Sequence, residues 1–234
     1  MKRIVIVTMF AFALCAAAFA QAQKSGQLEN VLNAMDRTAT NFKSVETEFQ
    51  WDQYQKVVDE SDTQKGMMYF RRQGNNTEMS AEINQVNGKP ETKFVLFTDG
   101  TVRMYQPKID QITKYNAGKN KADFESFLVL GFGGRGHDLQ KSFDVRYAGE
   151  ESVAGVNAAK LELTPKVQRV KGMFQLITLW IDPARGLSVQ QKFQEPTGDY
   201  RLAKYSNIKM NQKLPESAFK LKTTSKTRVV TPQT

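Results

Sequence analysis

The sequence predicts a mostly β protein with some α: a highly curved antiparallel sheet of about a dozen strands, forming a barrel or half-barrel with helices plugging its open side. Three observations carry this expectation. After one helical stripe the apolar period falls to two and stays there along most of the chain. The strand-like runs are separated by short turn signals such as Asn87-Gly88 and Asp99-Gly100, and short turns join antiparallel neighbours. A sheet of that many strands must curl or close.

The chain opens MKRIVIVTMFAFALCAAAFAQAQ. Lys2 and Arg3 precede an apolar run from Ile4 to Phe19, and Ala18-Phe19-Ala20 has the small-x-small pattern of a cleavage site. Residues 1–20 are therefore expected to be a cleaved signal peptide, and 21–234 a single exported domain. The one cysteine, Cys15, leaves with that leader, which removes thiol and disulfide chemistry from the mature chain.

The first mature element is a helix, because Leu28, Val31, Leu32, Met35, Ala39 and Phe42 recur at three- and four-residue spacing. In VETEFQWDQYQK the period becomes two, with Val45, Thr47, Phe49 and Trp51 alternating against Glu46, Glu48, Gln50 and Asp52. Further strand-like runs lie at about 65–73, 76–84, 92–98, 101–106 and 109–115, then about 142–149, 153–164, 173–182, 187–194, 199–210 and 218–223. Between the two sets, KADFESFLVLGF places Phe124, Phe127, Leu128 and Gly131 at i, i+3, i+4 and i+7, which reads as a helix; a buried strand is the alternative. Gly131, Gly133, Gly134 and Gly136 then read as its end and hinge, since glycine supplies the positive φ of a helix C-terminus.

Those glycines also match the G-x-G-x-x-G spacing of a dinucleotide loop. The context argues against it: the following HDLQKSFDVRYAG is too short for a crossover helix and turns quickly into alternating sequence. His137 is the only histidine, so neither a metal site nor a catalytic triad is expected, and no cofactor. An enzyme dependent on His137 is kept only as a remainder. The 33 basic against 24 acidic residues give a net charge of +9, or 31 − 24 = +7 without Lys2 and Arg3. With no recognition motif, nucleic acid is not an expected partner; anionic lipid headgroups or an acidic partner suit the charge better.

What remains is apolar side chains on sheet faces. Phe49, Trp51, Met68, Phe70, Met79, Ile83, Leu96 and Met104 are the candidates for lining a cavity, against the plainer reading of a hydrophobic core. Arg72 falls in phase with Met68 and Phe70, so a charge points at the apolar face, where it needs a partner.

The ordered series VETEFQWDQYQ, GMMYFRR, FTDGTVRMYQPKIDQITKY and LPESAFKLK resembles the LolA family of periplasmic carriers of outer-membrane lipoproteins, over nearly the whole mature chain. The resemblance implies an open, highly curved antiparallel half-barrel of about 11–12 strands capped by helices, an apolar cavity for the acyl chains of a lipidated protein, and a monomer that an inner-membrane transporter loads and an outer-membrane receptor unloads. It implies that Arg72 bonds to carbonyls of a lid helix and locks it; Arg71 is the alternative in the adjacent register. Phe124, Phe127 and Leu128 fall where the lid helix lies. LPESAFKLK would supply the closing strand. A carrier of another amphiphile, such as a glycolipid or free lipid, and an envelope-stress sensor module are the alternative functions for the same fold.

Overall fold

The computed structural model describes residues 4–74, 76–116 and 130–232, with side chains from Gln23 onward. A long helix, α1 (Ile4–Asn41), leads into one 12-stranded sheet. Its strands are β1 (Ser44–Gln55), β2 (Glu60–Gln73), β3 (Asn76–Val86), β4 (Lys89–Thr98), β5 (Thr101–Gln106), β6 (Gln111–Asn116), β7 (Phe143–Val153), β8 (Val156–Pro165), β9 (Leu176–Asp182), β10 (Leu187–Gln194), β11 (Tyr200–Met210) and β12 (Arg228–Val230). The order across the sheet is β12-β6-β5-β4-β3-β2-β1-β11-β10-β9-β8-β7. Neighbours are antiparallel except β12, which lies parallel on the β6 edge. Among the described residues there are also two short α-helices, α2 (Gly136–Ser142) and α3 (Gln168–Met173). The sheet is open and curved, as the period-two patterning requires for so many strands.

The turns follow their sequence signals. Asn87 and Gly88 both take left-handed φ (49° and 76°), as do Asp99 and Gly100 (50° and 70°), which matches the right-handed twist of the flanking strands. The β7–β8 turn falls at Ala154-Gly155 (φ 48° and 81°).

Cross-strand partners define the two faces. Val45 pairs with Phe70, Phe70 with Met79, and Met79 with Phe97, so these share one face. That inner face carries α1 and splits into two clusters. Val31, Leu32 and Met35 of α1 pack on Leu161, Leu163, Ile177, Leu179 and Ile181. Phe42 and Phe132 pack on Val45, Phe49, Met68, Phe70, Met79 and Ile83. The apolar stripe of α1 is thus the stripe that meets the sheet.

Two expectations change. Residues 218–223 form no strand: Glu216–Phe219 is a 3₁₀ turn, started by Pro215, which has no N–H to give to a ladder. Phe219 instead packs with Leu96 and Leu214 against the outer face, and the last strand is β12. After the glycines, seven residues form α2, set against α1 by His137, whose ring nitrogens meet Asp36 Oδ2 (2.6 Å) and Glu29 Oε1 (3.1 Å).

Candidate functional site

The site is built where β2 ends, beneath the C-terminus of α1. Strand alternation puts Arg72 on the side of Met68 and Phe70, the inner face. Its backbone N–H donates to Lys43 O at 2.8 Å, which fixes the strand against the exit of the helix. The guanidinium then donates twice: Nη1 to Ala39 O at 2.9 Å and Nη2 to Gly133 O at 2.7 Å. Ala39 is in the last turn of α1, where carbonyls lack helical partners and carry the negative end of the helix dipole. A planar fork with several donors suits two carbonyls that come from segments 94 residues apart (133 − 39). The ring of Phe42 lies 5.4 Å from the guanidinium carbon. Arg71 points to the other face, pairing with Glu78 and Glu216 over the ring of Phe219. The two arginines therefore hold different segments: Arg72 the inner one, Arg71 the C-terminal one.

The segment that Arg72 grips is residues 130–135. Its carbonyls and one ring are fastened at four points. Gln191 Nε2 donates to Leu130 O, and Ser188 N–H to Gly131 O at 2.8 Å. Phe132, fully buried, stacks on Phe70 (4.9 Å between centroids) and meets Tyr205 edge-on (4.6 Å). Arg72 closes the series at Gly133 O. Tyr205 donates its hydroxyl to Gln191 Oε1 at 3.2 Å, and burial pushes that hydroxyl well above its ordinary pKa.

The glycines are consequently packing residues and not a hinge. Gly131 and Gly133 take φ of 74° and 78°, and a Cβ at Gly133 would stand 2.4 Å from the ring of Phe42. Gly136 lets α2 start against α1, since a Cβ there would lie 2.5 Å from Leu32 O. After the glycines the seven-residue α2 leads into β7, an antiparallel neighbour of β8, and not into the crossover helix of a dinucleotide-binding unit.

The cavity candidates separate into three groups. Phe49, Met68, Phe70, Met79 and Ile83 are buried together under Phe42 and Phe132. Trp51 and Met104 are half-buried, in register with the same face, as are Val86, Val95 and Val102. Leu96 is on the outer face with Tyr69 and Phe219, because it pairs with Ser80, which pairs with Tyr69. One end of the inner face is thus sealed by protein and the rest presents partly exposed apolar side chains. A hollow of about 770 Å³ lies elsewhere, on the outer face, lined by charged groups including Glu48, Lys65, Glu151 and Lys204. Its lining is mixed, with Phe49, Met67, Val153 and Val189 beside those charges. Phe124, Phe127 and Leu128 lie outside the described residues. Among the described residues no cluster of His, Cys, Asp and Glu could hold a metal ion.

Sequence reasoning found Arg72 but not its partners. Nothing marks Ala39 O or Gly133 O as acceptors, although Phe132 between two glycines was a visible signal of a buried ring in a special turn.

The sequence profile described as outer membrane lipoprotein carrier protein LolA matches residues 40–222. No curated protein matches the sequence. Among solved structures, an uncharacterized conserved protein from Thermus thermophilus is similar, with a TM-score of 0.55, 16% identity, and 87% of this chain and 98% of that chain covered. MucB is similar with a TM-score of 0.50 and 16% identity, covering 89% of this chain and 66% of that chain. In the complex of Pseudomonas aeruginosa MucA and MucB the values are 0.46, 15%, 85% and 61%. The chain therefore spans just under two thirds of the length of MucB. At these identities the likeness is one of fold.

Proposed function

The chain belongs to the LolA family, and from that premise we propose that it is a periplasmic carrier that shields lipoprotein acyl chains on its inner face and ferries them from inner to outer membrane. The family is one of carriers and binding proteins rather than enzymes. The single observation that carries the proposal is the pair of hydrogen bonds that Arg72 donates to Ala39 O and Gly133 O, which closes one end of an apolar face whose remaining side chains are only partly covered. In this reading residues 1–20 are a cleaved leader and Arg72 is the lock.

The physics suits the role. Each buried methylene gains about 0.8 kcal/mol, so a chain of roughly 15 gains on the order of 12 kcal/mol before ordering costs. No lipoprotein crosses water against such a term without a shield. A segment that competes with the acyl chain for the same face weakens binding enough for release.

The test is recovery of the protein from the periplasm, followed by mass spectrometry of what co-purifies, for the wild type and for Arg72→Leu. Lipoprotein is the expected cargo, enriched in the variant that cannot lock. A glycolipid or free lipid in its place assigns the protein to another amphiphile. Failure of both forms to take up a hydrophobic probe overturns the carrier reading.

A further inference from the structure

The strand register sorts the loops into two rims, and the exposed apolar side chains gather on one of them. The pairs Gln55–Glu60, Val86–Lys89, Gln106–Gln111 and Gln194–Tyr200 place four turns on a common rim. The segment from β8 to β9, with α3, lies on the same rim, since Gln194 pairs with Leu176. Among the described residues seven large apolar side chains are exposed, and five sit here: Val57 and Val58 at the β1–β2 tip, Ile109, Val167 and Met173. The other two, Tyr115 and Val229, lie on β6 and β12.

Val57 is 95% exposed at the end of a 12-residue strand. Two adjacent valines at the tip of a projecting hairpin contribute nothing to the core. Basic groups surround them: Lys56, Lys89 and Lys108 on neighbouring turns, and Lys166, Arg169 and Lys171 on α3 and its approach, all exposed. From residue 163 to 181 there is no acidic residue. The rim also carries acids: Asp59 accepts from the Tyr54 hydroxyl, Asp199 from Lys56 N and Asp110 from Thr224 and Thr227, while Glu60 and Asp62 are exposed beside the tip, so the basic excess lies on α3 and its approach, next to the exposed Val167 and Met173.

We infer that this rim is a docking surface for an anionic lipid bilayer, with Val57 and Val58 entering the interface and the surrounding lysines on the headgroups. Either signal alone gives weak attachment, and the two together give reversible binding. Solvent-exposed valines in a basic frame fit a lipid surface better than a charged protein face, which would leave them unburied. The inference does not depend on the cargo.

The experiment uses the protein as recovered from the envelope of the producing cell. Its partition is measured on vesicles of phosphatidylglycerol with phosphatidylcholine and on phosphatidylcholine alone. Binding is expected on the anionic vesicles, falling with added salt. Val57→Ser with Val58→Ser, and separately Lys108→Glu with Lys171→Glu, are each expected to lower it roughly tenfold. Both pairs are exposed, and unchanged thermal unfolding checks that the variants fold. In a Val58→Trp variant, emission is expected to be quenched by brominated lipid. Absence of partition at low salt, partition unmoved by either pair, or an unquenched tryptophan overturns the proposal; the last two leave binding by another face or by a protein partner.

Discussion

At residue scale the molecule turns on Arg72 and the glycine beneath it. Replacing Arg72 by leucine strands two partly buried carbonyls, one of them at a helix C-terminus. Losing charge-assisted bonds of this kind costs about 2–3 kcal/mol, to be read from urea unfolding. Arg72→Lys is expected to recover less than half, because an ammonium cannot span both acceptors as the planar fork does. Gly133→Ala is expected to cost about 2 kcal/mol or more, since the new methyl meets the Phe42 ring at a φ that alanine resists. Gly26→Ala is the contrast: with nothing within 4 Å in a helix it is expected to stabilise by about 0.5–1 kcal/mol. The phase of Arg72 was legible because alternation is a local property. Its acceptors were not, because they are backbone atoms brought together only by the packing of α1 on the sheet.

At the scale of elements, α1 and α2 are joined by a titrating contact. The hydrogen bond to Asp36, then that to Glu29, raises the pKa of His137 above 6.5. Burial opposes the charge on Asp36, but the bonds and charge of His137 outweigh it and hold that carboxyl below 3.8. The signs follow. A raised histidine stabilises fully below its unfolded value of 6.5, and the effect is lost as pH climbs through the folded value. A lowered aspartate stabilises above 3.8, and the effect is lost as pH falls through its folded value. The joint is therefore strongest between those two values. NMR titration is expected to place His137 above 6.5, and His137→Ala to flatten the fall in stability above that pH. A second element, the β7–β8 turn, puts Ala154 at φ 48°, where asparagine is at ease; Ala154→Asn is expected to stabilise by about 0.5–1 kcal/mol in thermal unfolding. Strands β1 to β11 could be read from period two and turn residues. The 3₁₀ turn at Glu216–Phe219 could not, because FKLK alternates like a strand while Pro215 gives no N–H to a ladder and Phe219 packs with Leu96 and Leu214 on the outer face.

At the scale of the whole molecule, the inner face has a blind end and an open one. Along β1, Val45, Thr47 and Phe49 are buried, Trp51 is half-buried, and Gln53 and Gln55 are exposed. Exposure thus grows toward the rim that carries Val57, so a protein standing on that rim presents the uncovered part of its face to the bilayer. The ring of Phe132, stacked on Phe70 at the height of Val45, gives this arrangement a graduated scale. From Trp51, where the face begins to open, to Gln55 is four residues of extended chain, roughly 13 Å at about 3.3 Å each. In the proposed carrier, the cluster packed under Phe132 would be the backstop for a hydrocarbon tail lying along the strands. Such a carrier would measure its cargo: tails up to the limit would lie sheltered, and longer ones would leave methylenes in water. Phe132→Leu, which lowers the backstop while keeping the site apolar, is expected to shift the tails recovered by mass spectrometry toward greater length. A distribution left unchanged would mean that the face selects by width and not by length.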